Sequence, residues 1–186
     1  MNSIVIVYHS GYGHTRKIAE AVAQGSGGTL LAIDADGNVP DAGWEQLQAA
    51  RTIIFGSPTY MGGASWQFKK FADASSKPWS TQAWKNKLAA GFTNSASMNG
   101  DKHSTLHYLM TLAMQHSMIW TGSGMMPSNL KASGRNDINY IGSMGGLMTT
   151  SPADSSPDEA AAGDLETARK FGANVAAVTE LLRKGI

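Results

Sequence analysis

The stretch IVIVYHSGYGHT, residues 4–15, decides the fold that we expect for this chain. Its first part, from Ile4 to Tyr8, is a short apolar run rich in β-branched residues, which is typical of a strand buried on both faces of a parallel sheet. Two glycines follow, and apolar residues then recur at helical spacing from Ile18 to Ala23. The stretch therefore predicts a strand, a tight loop and a helix.

The loop from Ser10 to Thr15 has the composition of a phosphate site. Free N–H groups and the helix dipole attract an anion at a helix start, the glycines let the backbone bend around it, and the hydroxyls of Ser10 and Thr15 add donors. The loop lacks the lysine of a Walker A motif, and Arg16 stands where a dinucleotide fingerprint has its third glycine. An ordinary tight turn is the alternative interpretation.

The alternation of strands and helices continues along the chain. The last helix is marked by Ser156 as N-cap, Pro157 at the first helical position and Glu159 completing a capping box, and it is predicted to end near Gly185. Residues 122–155 are rich in glycine, serine and methionine and predict one long loop. The predicted strands lie at residues 4–8, 29–33, 51–56, 87–93 and 118–121.

This order of elements predicts an α/β fold, a doubly wound parallel sheet with helices on both faces, in a single domain over residues 1–186. Ligands of such sheets bind beyond the carboxyl ends of the strands. The predicted loop 56–63 after the third strand combines proline, tyrosine, methionine and glycines, which suits a planar heterocycle. With a phosphate on the first loop and a ring on this one, FMN would lie across the switch point of the sheet.

Composition excludes several classes of protein. The formal net charge is +1 and 16% of residues are charged, which argues against nucleic acid and anionic membranes as partners. Cysteine is absent, so any redox centre must be a bound cofactor. His103 and His107 lack a third metal ligand at suitable spacing, and a phospho-receiver domain would need acidic residues where His9 and Ser57 stand. No apolar stretch approaches the ~20 residues of a membrane span, and the default expectation is a cytoplasmic protein without a metal.

Three segments together resemble the WrbA-type NAD(P)H:quinone oxidoreductases of the flavodoxin-like superfamily. Residues 8–14 resemble the family's phosphate loop, residues 55–62 its F-G-[ST]-P-T loop, and residues 115–118 its His-His-Gly-Met segment. The resemblance covers almost the whole chain and implies a flavodoxin-like, five-stranded sheet of order 2-1-3-4-5. It also implies FMN as cofactor, NADH or NADPH as electron donor, a quinone or similar small acceptor, and a homotetramer whose neighbouring subunits close the flavin site.

The resemblance further implies roles for individual residues. His116 would lie beside the flavin and donate a hydrogen bond or a proton to the quinone oxygen, and Trp79 would lie near the substrate. The phosphate region of FMN would contact Ser10, Tyr12, Gly13, His14 and Thr15. The isoalloxazine ring would be flanked by Pro58, Thr59, Tyr60, Met61 and Gly62. The polar edge of the ring would contact Asn94, Ser95, Ala96, Ser97, Met98 and Asn99.

The chain also departs from the family pattern. Tyr60 and Met61 stand where the family usually has Arg-Phe, and Ala96, Met98 and Asn99 replace part of a glycine run. Loss of the arginine removes a fixed positive charge that could stabilise reduced, anionic FMN. Two alternatives to the enzyme are a flavodoxin-like electron carrier and an FMN-binding regulatory module without turnover. Such carriers are usually acidic, and the near-neutral charge of this chain argues against that class.

Overall fold

The structure, a computed structural model, describes residues 4–185. Its strands are β1 (Ile4–Tyr8), β2 (Thr29–Ala32), β3 (Thr52–Tyr60), β4 (Gly63–Ala64), β5 (Leu88–Ser95), β6 (Ile119–Trp120) and β7 (Leu147–Thr150). Its helices are α1 (His14–Ser26), α2 (Asp41–Ala49), α3 (Trp66–Ala74), α4 (Ser76–Ser80), α5 (Lys102–Gln115) and α6 (Ala162–Gly185), and a 3-10 turn covers Pro157–Glu159. No helix within this range is long and apolar enough to cross a bilayer.

The main sheet has the strand order β2-β1-β3-β5-β6, and each neighbouring pair is parallel. Alternate residues of β1 enter different cores because successive side chains of a strand point to opposite faces. Val5 and Val7 pack in the core beneath α2, α3 and α5, whereas Ile4 and Ile6 pack beneath α1 and α6. The predicted doubly wound fold and the order of its five strands are confirmed.

Close packing of α1 against α6 depends on two glycines. A β-carbon on Gly25 would collide with the carbonyl oxygen of Arg169, and one on Gly172 would collide with the carbonyl oxygen of Val22. The two helices therefore approach until their backbones touch, and together they cover one face of the sheet.

The edge position beside β5 is shared by two short strands. β6 pairs with Leu88 and Ala89 at the start of β5, and β7 pairs with the four residues from Phe92 to Ser95 at its end. The chain leaves the sheet after β6 and returns at Leu147. The prediction of one loop over residues 122–155 is therefore wrong at β7, because a strand of four residues is too short to give a clear periodicity.

Two element boundaries also differ from those predicted. The third strand was expected to end at Gly56, but β3 continues to Tyr60 and turns back into β4. Proline is tolerated at position 58 because the N–H group that it lacks would point towards β1, and β1 already ends opposite Gly56. The capping box of Ser156 and Glu159 is present, but it closes the 3-10 turn, and α6 begins only at Ala162.

The structure corrects the prediction that His116 lies beside the ligand site. His116 follows α5 and precedes β6, so it lies at the edge where the parallel strands begin, and only 4% of its surface is exposed. Its ring packs on Trp84 with 4.3 Å between ring centroids. The Ser75 hydroxyl donates its hydrogen bond to the Ala72 carbonyl oxygen. Ser75 Oγ therefore accepts a hydrogen bond from His116 Nε2 over 2.9 Å. Burial holds this imidazole neutral and lowers its pKa to about 4.

His116 gives the fold a predictable sensitivity to acid. The unfolded chain binds a proton on this ring near pH 6.5, whereas the folded chain binds one only near pH 4. The free energy of unfolding should therefore fall by about 3 kcal/mol as the pH is lowered from 6.5 to 4. Denaturant unfolding of the wild type and His116→Gln at several pH values would measure this. The unfolding free energy of the variant should depend less steeply on pH. Burial also lowers the pKa of His9, but His9 is present in both proteins and contributes equally to each. Parallel curves for the two proteins would contradict a buried neutral His116.

Candidate functional site

A cavity of about 610 Å³ opens at the edge of the sheet where the parallel strands end. Four segments of the chain form its wall: the loop after β1, the end of β3, the end of β5 and the segment after β7. The lining residues are Tyr12, His14, Thr15, Pro58, Thr59, Tyr60, Asn94, Ser95, Ala96, Ser151, Ala153 and Ser155. Nine of these twelve were predicted as site residues from the sequence, and the cavity brings them together from three strand ends.

The loop after β1 presents backbone donors to one end of the cavity. Gly13 adopts a left-handed conformation with φ 93° at the start of α1. Ser10 Oγ accepts hydrogen bonds from the N–H groups of Gly13 and Arg16, each over 3.1 Å. The N–H groups of His14 and Thr15 have no partner among the residues that the structure describes. Two unpaired donors at a helix N-terminus make a site for an anion.

No lysine or arginine is among the cavity lining. The two cations that follow the loop are turned outwards, where Arg16 pairs with Glu20 and Lys17 pairs with Asp158. An anion in this end of the cavity would therefore be held by N–H groups, hydroxyls and the helix dipole.

Two tyrosines form an aromatic wall at the cavity. The rings of Tyr12 and Tyr60 meet edge to face with 6.1 Å between their centroids, and 78% of Tyr12 is exposed. A β-carbon at Gly11 would come within 2.7 Å of the Tyr60 hydroxyl, so the loop passes close to this ring. Burial raises the pKa of Tyr60, which keeps its hydroxyl protonated. The wall is thus aromatic, neutral and open to solvent on one side.

The floor of the cavity is a network of hydroxyls and one amide. Thr59 Oγ1 lies 2.8 Å from Thr93 Oγ1 and 2.7 Å from Thr105 Oγ1, so it ties the end of β3 to β5 and α5. Asn94 Oδ1 accepts hydrogen bonds from Thr149 and Ser151, which fixes the amide plane. Both of these bonds involve the oxygen of the Asn94 amide, so the N–H groups of the amide are available to a ligand.

Sequence reasoning missed the segment after β7, which contributes Ser151, Ala153 and Ser155. His14 Nε2 lies 2.9 Å from the Ser155 carbonyl oxygen and holds this segment over the loop after β1. Pro157 packs directly against Gly13. The capping box marked where this segment ends, but no local pattern connects it with a loop 140 residues earlier in the chain.

Several predicted site residues lie outside this cavity. Ser10 and Gly13 shape the loop from behind, and Met61 and Gly62 are exposed at the turn after β3. The Ser97 carbonyl is bonded to Lys102. Met98 and Asn99 line a neighbouring cavity of about 690 Å³ beside residues 128–141. Trp79 and His116 are not part of the wall, and no cluster of metal ligands occurs within residues 4–185.

Comparison with known proteins agrees with this geometry. The NADPH-dependent FMN reductase family matches residues 34–130. Flavodoxin FldP of Pseudomonas aeruginosa is 48% identical, over 98% of this chain and 99% of its own length. A crystal structure of a WrbA-like flavodoxin from Agrobacterium tumefaciens is 51% identical, has a TM-score of 0.80, and is matched over 97% of this chain and 99% of the other.

A more distant relative is the NAD(P)H dehydrogenase (quinone) of Solidesulfovibrio magneticus, which is 30% identical over 97% of this chain and 99% of its own length. That alignment extends over 207 positions, so the relative carries segments that this chain of 186 residues lacks. The alignment with FldP extends over 182 positions. The chain belongs to the NADPH-dependent FMN reductase family, as a WrbA-type oxidoreductase with the flavodoxin-like fold.

Proposed function

We propose that the protein binds FMN in the cavity and passes two electrons from NADH or NADPH to a quinone or a similar small acceptor. The observation that carries this proposal is the form of the cavity. Unpaired N–H groups of His14 and Thr15 lie in the wall formed by the loop after β1, and Pro58 and Tyr60 lie in the wall formed by the end of β3. A phosphate and a planar ring on one ligand match these two walls.

In this proposal the residues of the chain bind and orient the cofactor, and bound FMN supplies the two-electron chemistry. The phosphate is held by the N–H groups at the start of α1 and by the hydroxyl of Thr15, while Ser10 orders the loop through its bonds to Gly13 and Arg16. The backbone after Gly56 flanks the ring, and Asn94, Ser95 and Ala96 meet its polar edge. The exposed side of the Tyr12 wall leaves room for the nicotinamide and the acceptor to use one face in turn.

A one-electron carrier is the second candidate. It is favoured by the name of the relative FldP, a flavodoxin, and by the matching length of the two chains. The net charge of +1 argues against it, because carriers use a strongly charged surface to meet their partners. The family name and the relatives named as NAD(P)H dehydrogenases support the enzyme.

Steady-state oxidation of NADH and NADPH by the purified protein with added FMN and benzoquinone should separate these candidates. The enzyme should turn over many times without any other protein. A carrier should oxidise neither nucleotide until a separate reductase is added. Tight FMN binding with only slow flavin reduction by both nucleotides would instead indicate a regulatory module.

Removing the hydroxyls of the first loop should weaken FMN binding. Thr15→Val keeps the shape of the side chain and should cost about 0.5–1.5 kcal/mol of binding free energy. Ser10→Ala should cost about 0.5–1.5 kcal/mol, because Ser10 Oγ orders the loop by accepting from the N–H groups of Gly13 and Arg16. Flavin fluorescence titration measures the FMN affinity of both variants, with Thr111→Val at an exposed position of α5 as the control.

Riboflavin, which lacks the phosphate, should bind the wild type and Thr15→Val equally. Unchanged FMN affinity in the double variant would remove both residues from the site.

We further propose that the protein is a homotetramer in which Trp79 reaches the flavin site of a neighbouring subunit. Trp79 is 50% exposed on α4 and lies outside the cavity of its own chain. Trp79→Ala should lower quinone turnover while FMN affinity stays nearly unchanged. Leu181→Ala, which truncates another exposed apolar side chain, should affect neither. Light scattering that finds a fully active monomer would contradict a shared site.

A further inference from the structure

Lys102 is a buried cation behind the wall of the cavity. It is the first residue of α5, and none of its surface is exposed. Its Nζ donates hydrogen bonds to Ser95 Oγ over 2.8 Å, to the Ser97 carbonyl over 2.6 Å and to Thr150 Oγ1 over 3.2 Å. All three acceptors are neutral, so the ammonium group has good hydrogen bonds and no carboxylate in contact.

The position of this lysine is unfavourable for stability. A cation at the N-terminus of a helix opposes the helix dipole, and burial lowers the pKa of Lys102 to about 8. Asp164 opposes that shift, but both of its oxygens are taken by Arg135, whose own charge lowers the pKa further. The group of Lys102, Arg135 and Asp164 therefore carries one net positive charge at pH 7. A buried charge in such an unfavourable position is typical of functional sites.

The charge lies close to the place that the proposed function gives to the flavin ring. Ser95 is the last residue of β5 and lines the cavity, and its hydroxyl is bonded directly to the Lys102 ammonium group. A charge behind such a wall is poorly screened by solvent, so it acts on a ligand in the cavity more strongly than a surface lysine would. It would stabilise a negative charge on that ligand and have little effect on a neutral one.

We propose that the Lys102 ammonium group supplies the positive charge that favours reduced over oxidised FMN in this cavity. Hydride transfer from NAD(P)H adds two electrons and one proton to the neutral ring, which leaves one negative charge on the ring and NAD(P)⁺ as product. Lys102 would then compensate for the arginine that WrbA-type sequences carry where this chain has Tyr60. The inference rests on the proposed function and assigns the residue that tunes the same site.

The test compares the affinities of Lys102→Met for the two forms of FMN. Fluorescence titration gives the dissociation constant of oxidised FMN, and the midpoint potential of bound FMN then gives that of the reduced form. We expect the affinity for reduced FMN to fall about tenfold more than that for oxidised FMN, which corresponds to a two-electron potential about 30 mV lower. Lys102→Arg should retain most of the wild-type ratio because it keeps the charge.

Lys87→Met is the matched control. Lys87 donates to the carbonyl groups of Leu47, Gln48 and Ala50 at the end of α2, and burial lowers its pKa to about 8 as well. It lies at the opposite edge of the sheet, beside the start of β5, so its loss should reduce stability and leave the ratio of the two affinities unchanged.

An equal loss of affinity for oxidised and reduced FMN in Lys102→Met would overturn the proposal, since it would indicate a purely structural lysine. If that variant does not fold, lysine side-chain NMR of the wild type provides the test, with Lys87→Met identifying the other low-pKa lysine. The pKa of Lys102 should rise when bound FMN is reduced, and an unchanged pKa would reject the role. A wild type that binds no FMN would overturn the proposed function together with this inference, whereas bound FMN with an unaltered ratio would reject only the role of Lys102.

Discussion

The stagger of the strand ends is the constraint on which the site depends. β1 stops at Tyr8 opposite Gly56, whereas β3 continues to Tyr60 and β5 to Ser95. Beyond Gly56, β3 no longer pairs with β1, and its last two residues pair with β4 while Pro58, Thr59 and Tyr60 line the cavity next to the loop after β1. Close fit of the strands maintains the register, since a β-carbon on Gly56 would collide with the ring of Phe92. Every other part of the site is positioned relative to this step.

The electrostatic design of the site follows from where its cations are placed. The anion end of the cavity relies on backbone N–H groups, while Arg16 and Lys17 are paired at the surface. The ring end has no cation in contact but has the buried Lys102 behind Ser95. In the proposed function, binding and redox tuning would be served by different groups, because neutral donors would hold the phosphate in both redox states and the buried charge would distinguish between them.

Division of the edge strand into β6 and β7 connects the two ends of the site. β7 pairs with β5, and its Thr149 and Thr150 bond Asn94 of β5 and Lys102 of α5. The chain then continues across the loop after β1 as residues 151–159. The loop between β6 and β7 borders the second cavity beside Met98. The segment from β6 to residue 159 therefore supports the end of β5, covers the loop after β1 and borders the second cavity.

The sequence alone determined the layered α/β fold, because buried strands, glycine loops and helix starts are encoded in neighbouring residues. The strand order and most residues at the ends of β1, β3 and β5 followed from the resemblance of three sequence segments to the WrbA-type family. It did not determine the positions of His116, Lys102 or Ser155. His116 matches a family segment, yet packing places it under Trp84 at the opposite edge. Lys102 is a common surface residue type, and its burial depends on the return of the chain as β7, which brings the distant Thr150 to its ammonium group beside the nearby Ser95 and Ser97. Contacts between residues far apart in the chain leave no local pattern, so only the tertiary structure could decide them.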